Sequence, residues 1–273
     1  MKKTFSPKKS AFSLIELSIV LIIIGLLIAG ITGGASLIKS SELRSVVVEA
    51  RVYGAAVNNF YSRYVALPGD YTVAVVASDV PGNGNNQIEF AAATRTDSST
   101  ATATAEGVEA LRDLQSITAI DATTAFLTAQ ATAGSGDTTA IAVVGAMTPV
   151  THFPGSKVKA AGWALDYNFT SSQNVVVLTG ATSAGSGALA QTGAAITANT
   201  LVNGTTVSAG VVLPVDVLSI DAKVDDGIGN TGKLRGVNIG ASTTDCQAAT
   251  TGVYAVATTT KTCAISYQVD VNS

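Results

Sequence analysis

FSLIELSIVLIIIGLLIAGITGGASLI, residues 12–38, is the stretch on which the fold turns. It carries a single charge, Glu16, and is longer than the ~20 apolar residues a helix needs to cross a bilayer. In front of it stands MKKTFSPKKSA, with Lys2, Lys3, Lys8 and Lys9 and no acid. A basic flank keeps its end of a span cytoplasmic, which places everything after Lys39 outside. A secretory signal also joins a basic start to an apolar run, but its core is shorter and a small-residue cleavage site follows it. Neither holds here. An ordinary single-span anchor accounts for everything except Glu16.

A carboxylate near the start of a span is costly unless something pairs with it, and nothing within the span is expected to do so. A cut between Ala11 and Phe12 would supply one. It creates a positive α-amine four residues before Glu16, on the same helical face, and a frayed terminus could equally reach a neighbouring subunit.

The residues around that cut, Ser10-Ala11-Phe12-Ser13-Leu14-Ile15-Glu16-Leu17, resemble the prepilin peptidase site of type IV pilins and type II secretion pseudopilins. The resemblance implies cleavage on the cytoplasmic face just before Phe12, methylation of the new amine, and pairing of Glu16 with a neighbour's terminus during assembly. It implies as partners other pilin or pseudopilin subunits, the prepilin peptidase, an inner-membrane assembly platform and the lipid bilayer. It places the chain in a bacterial inner membrane before assembly, with its body periplasmic or extracellular afterwards. The family usually has Gly before the cut; this chain has Ala11, the nearest residue in size, so cutting is expected at a lower rate.

Beyond the span, Val46, Val47, Ala50, Tyr53, Val57, Phe60, Tyr61 and Tyr64 recur at steps of three and four, the pattern of an amphipathic helix. One helix over residues 12–64 would be about 80 Å long. Its first half needs lipid or sister helices; its second needs a core to cover its stripe. Gly25, Ala29 and Gly33, and Gly30 with Gly34, fall at the four-residue spacing that lets membrane helices approach closely. Glycine is also simply common in such helices. Pilins often carry a Pro near this point, and Gly33-Gly34 in its place leaves local melting of the helix open but less forced.

The rest of the 273 residues reads as an α+β body. Pro68 biases Leu67 away from helix, ending the long element. Residues 68–100 form an irregular connection with PGNGNNQ as a turn cluster. Residues 106–130 suggest one or two short helices, 160–169 and 174–178 a β-hairpin around Thr-Ser-Ser-Gln, 219–226 a short helix, and 233–239 and 265–271 further strands. Residues 180–210 are low in complexity, surface loop or small added strands. LPGDY, GNGNNQIE, DAKVDDGIGNTGKLRG and the late cysteine pair also resemble a subset of larger pilin-like proteins, which supports this fold.

The chain is 47% hydrophobic but 13% charged, against a usual share of about 25%. Ala, Thr, Ser and Gly fill the deficit, so each residue buries little apolar area. Net charge is −3 and no basic run follows the leader, so nucleic acid is not an expected partner. Cys246 and Cys263, in an exported body, are expected to form a disulfide rather than remain as buried thiols.

Candidate chemistry is thin. Gly227-Ile228-Gly229-Asn230-Thr231-Gly232 has the dinucleotide spacing, but a helix precedes and a strand follows, the reverse of what phosphate binding requires, so it reads as a turn. Asp221, Asp225, Asp226 and Asn230 could surround calcium, yet they lack the EF-hand spacing, and acids on a helix face are more often solvated. Asp79, Asn83, Asn85 and Glu89 make a poorer cluster. His152, the sole histidine, has no nucleophile near it in sequence, and Trp163 sits in a strand pattern as core. No enzyme activity, cofactor or resident metal is expected.

The expected layout is a leader over 1–11, a membrane-spanning and filament-core helix over 12–39, its amphipathic continuation over 40–64, and an extracytoplasmic head over 65–273 whose antiparallel sheet packs on the long helix. The expected role is a structural subunit of a type IV pilus or related filament, a minor or specialised one given the size of the head. A type II secretion pseudopilin and a membrane-tethered adhesion protein are the alternatives.

Overall fold

The computed structural model describes residues 13–73, 75, 82, 84–88, 106–121, 149–150, 153–168, 171–181, 209–239 and 244–269. The chain divides into two compact units, Met1–Glu42 and Leu43–Ser273. Helix α1, Leu14–Tyr64, contributes to both.

In the second unit α1 buries Val46, Ala50, Val57 and Phe60 of the expected apolar stripe, with Ala56 beside them and Val47, Tyr53, Tyr61 and Tyr64 half-buried. Tyr53 meets Trp163 with ring centroids 5.8 Å apart, and Phe60, Tyr64 and Tyr71 form a second aromatic group with tilted and edge-on contacts. The helix stops at Val65, whose φ of 54° is left-handed while its N–H still reaches the Tyr61 carbonyl. Such a residue cannot continue a right-handed helix. Pro68 follows, and the N–H of Gly69 is taken up by the Asp113 carboxylate of α2, Glu106–Ser116.

Strands β1 (Gly162–Asn168) and β2 (Gln173–Thr179) form the expected antiparallel hairpin. Ala160 has a φ of 61°, so β1 starts at Gly162, later than the apolar pattern suggests. Every residue of β1 is buried, including Asp166 and Asn168, so both faces are covered and not only the Trp163, Leu165, Tyr167 side. Helix α2 packs against β1.

Helix α3 spans Pro214–Val224, five residues earlier than the sequence pattern placed its start (219 − 214 = 5). The reason is Pro214 itself. At the first helical position its missing N–H costs nothing and its fixed φ suits the helix, with Asp216 placed in the favourable first turn. After α3 come β3 (Leu234–Asn238) and β4 (Cys263–Gln268), which likewise begins before the expected Ile265. The sheet is fully antiparallel with order β1-β2-β4-β3, so the last strand lies between earlier ones. Helix α3 packs on β3 and β4.

Cys246 and Cys263 are joined as a disulfide. Asn238 holds the same place through its side chain: Oδ1 accepts the N–H groups of Cys246 and Gln247, and Nδ2 donates to the Gln247 carbonyl. Gly236 must stay glycine here, since an added Cβ would sit 2.6 Å from the Tyr254 ring and 3.0 Å from the Cys246 sulfur. The architecture is α+β and pilin-like: a long N-terminal apolar helix followed by an antiparallel sheet with helices.

Candidate functional site

Ser13 begins the described chain and α1 starts at Leu14. Ala11 and Phe12 lie outside the described residues. The side chain of Glu16 turns back to accept the Ser13 N–H at 2.9 Å, while the Leu17 N–H reaches the Ser13 carbonyl. Ser13-Leu14-Ile15-Glu16 thus forms the carboxylate half of a capping box. This corrects the expectation that nothing within the span can pair with Glu16: a backbone donor at the helix start does so. An acid in the first turn also suits the positive end of the helix dipole.

From Leu14 to Ile38 the large apolar side chains stand exposed, Leu14 by 88% and Ile31 by 69%. By length and composition α1 can cross a membrane. It runs unbroken through Gly33-Gly34, so the local melting left open by those residues is not seen. A Cβ added at Gly25, Gly30, Gly33 or Gly34 would meet nothing within 4 Å. A helical glycine is less stable than alanine by about 1 kcal/mol, and among the described residues no packing accounts for glycine at these positions.

In the second unit Asp221, Asp225 and Asp226 bring carboxylate oxygens within 4.8 Å of one another. Most of those oxygens are already engaged. Asp225 accepts the N–H groups of Asp226, Lys233 and Leu234. Asp226 accepts the Ile228 N–H and the Thr231 hydroxyl, and Asp221 the Tyr254 hydroxyl. The Asn230 amide donates to the Ala249 carbonyl. These bonds close residues 225–233 into the turn expected from the glycine-rich motif, with α3 before it and β3 after it. Of the second acidic cluster only Asn85 is described; Asp79, Asn83 and Glu89 lie outside the described residues, as does His152.

Two carboxylates that matter to the second unit were not singled out from sequence. Glu49 accepts from Trp163 Nε1 at 2.7 Å, the Ser156 hydroxyl at 2.5 Å and the Lys157 N–H at 3.2 Å. Its position between Val46 and Tyr53 on the apolar stripe was the available signal. Burial, then the nearby Glu49 charge, pushes the Tyr53 hydroxyl well above its ordinary value. Asp70 accepts the N–H groups of Gly84, Asn85 and Asn86. Burial raises its carboxyl even so, with those donors pulling the other way.

The long apolar helix and α+β body form a pilin-like layout. Residues 6–32 match the prokaryotic N-terminal methylation motif, which is typical of type IV pilins and type II secretion pseudopilins. That motif implies a pilin-like protein processed by prepilin peptidase and assembled with other pilins. It suggests a structural protein rather than an enzyme, and with the hydrophobic helix it is consistent with inner-membrane anchoring before assembly. No curated protein and no solved structure matches the chain.

Proposed function

We propose that the chain is a structural subunit of a type IV pilus or related filament, in a minor or specialised role. The observation that carries this reading is α1: one helix whose N-terminal part exposes its apolar side chains and carries the methylation motif, while its C-terminal part is buried in a compact body. Burial of that exposed surface needs lipid first and sister helices afterwards. The proposed layout keeps residues 1–11 as leader, 12–39 as span and filament core, 40–64 as its continuation and 65–273 as head. Prepilin peptidase cuts between Ala11 and Phe12 and methylates Phe12. Glu16 then exchanges its Ser13 N–H partner for the amine of a neighbouring subunit, which selects one axial stagger.

Mass analysis of the mature N-terminus tests the proposal. A methylated Phe12 is expected. Retention of Met1, or a cut beyond Ser36, refutes it. The motif also occurs in pseudopilins of the type II secretion system. Shearing filaments from the cell surface and probing them for this subunit separates that reading from a pilus.

A further inference from the structure

Asp221 stands in the last turn of α3 with no exposed surface. Its Oδ2 accepts the Tyr254 hydroxyl at 2.7 Å, and its Oδ1 is buried without a hydrogen-bond partner. Asp225 lies one turn on, and a carboxylate oxygen of each lies within 4.8 Å of the other. Ionised carboxylates are acceptors only. If Asp221 were charged, its buried Oδ1 would face a second carboxylate with no donor, which is costly both as an unsatisfied group and as a like-charge contact.

One proton removes both costs. It belongs on Asp221 rather than Asp225, because Asp225 takes backbone N–H bonds from Asp226, Lys233 and Leu234 that favour its charged form. We propose that Asp221 is a protonated carboxylic acid that donates to the Asp225 carboxylate. The pair is a proton-held latch where the end of α3, the 225–233 turn and the disulfide-closed segment carrying Tyr254 meet.

The other groups acting on the pair agree with that assignment. Burial pushes the Asp221 carboxyl up to about 7; Asp225 and Asp226 add to the rise and the Tyr254 hydroxyl opposes it. At Asp225 burial also works upward, but the bond with Asp221 and the N–H donors outweigh it and hold its carboxyl below the ordinary value. From β3, Arg235 turns its Nε to the Gly232 carbonyl, and β4 contains no charged residue. A folded value above the unfolded one stabilises most at low pH. The latch contributes fully below about pH 4, weakens as pH rises from there, and is gone above about pH 7. It does not depend on the filament reading.

The test uses the full chain in detergent micelles, as wild type, Asp221→Asn and Asp225→Asn. Infrared spectra with labelled aspartate carboxyls report protonation directly. A protonated carboxyl is expected to persist at about pH 6, where ordinary aspartates are ionised, to be half lost near pH 7, and to be missing from Asp221→Asn. Amide exchange protection over 225–234 is expected to fall about tenfold between about pH 6 and about pH 8 in the wild type. It is expected to stay flat in Asp221→Asn, whose amide replaces the O–H donor. Asp70, also raised by burial, is present in both proteins and cancels in the difference. Asp225→Asn is expected to bring the Asp221 midpoint down, which keeps the test decisive if Asp221→Asn does not fold. Full ionisation of the wild type at pH 6, an unchanged band in Asp221→Asn, or protection lost on chelation and restored by calcium alone each overturns the proposal.

Discussion

Removing the carboxylate of Glu49 tests how the long helix is fixed to the sheet within the second unit. Glu49→Ala takes an acceptor from Trp163 Nε1, the Ser156 hydroxyl and the Lys157 N–H at once. Ser156 is half-buried and Lys157 exposed, so water replaces the carboxylate there at small cost. Trp163 is 1% exposed and has no such recourse. A buried donor left without a partner costs about 1–3 kcal/mol, and bonds to charged groups lie at the upper end. The expected loss is therefore about 2–3 kcal/mol, a fall in Tm of roughly 4–12 °C for a unit of this size. Calorimetry on the full chain in micelles reads it. Trp163→Phe removes the donor as well, so Glu49→Ala in that background is expected to cost about 1–2 kcal/mol less than in the wild type. Additive effects, with a coupling below about 0.5 kcal/mol, would refute the reasoning and leave Glu49 a surface residue whose contacts carry no weight. Because Trp163 is the sole tryptophan, its emission reports the same loss locally in the Glu49 variant.

Three further outcomes are expected. Glu16→Val is expected to give a processed, membrane-resident subunit that does not enter filaments, counted after shearing from cells with this sole copy; wild-type yield would overturn the assembly role. Reduction of the Cys246–Cys263 bridge, whose loop has 16 intervening residues (263 − 246 − 1), is expected to cost about 3 kcal/mol in the chain-entropy model, read as a lower denaturant midpoint. Asp70→Ala strands the N–H groups of Gly84, Asn85 and Asn86 and is expected to cost about 2–3 kcal/mol; a change below 0.5 kcal/mol, on the same order as a neutral surface substitution, would show that water serves those groups equally well.

The elements legible in sequence are those whose physics is periodic and local. The stripe from Val46 to Tyr64 follows the helical repeat, and the β1–β2 hairpin announces itself by apolar runs on either side of a short polar gap. The start of α3 is not legible in the 219–226 pattern, because its first turn opens on Pro214, whose fixed φ suits the first helical position. The role of Glu16 was legible only in part. A charge in hydrocarbon points to the amine a cut at Phe12 would create, whereas the Ser-x-x-Glu spacing offers a backbone donor nearer still. Tyr254 and Asp221 lie 33 positions apart, and no local pattern links them. The order of the strands was equally out of reach, since it is set by which faces the helices cover.

That order has a consequence for how the protein comes into being. β4 lies between β2 and β3, and Val176 of β2 pairs with Tyr267, 91 residues further along (267 − 176 = 91). The edge of β2 that pairs with β4 is therefore filled only once the chain has been made out to β4. Pairings so remote in sequence are slow to form and leave sticky intermediates in the meantime. A chain that stops short of residue 263 does not merely lose a tail; it loses the strand that joins the two sides of the sheet and the cysteine that fastens it.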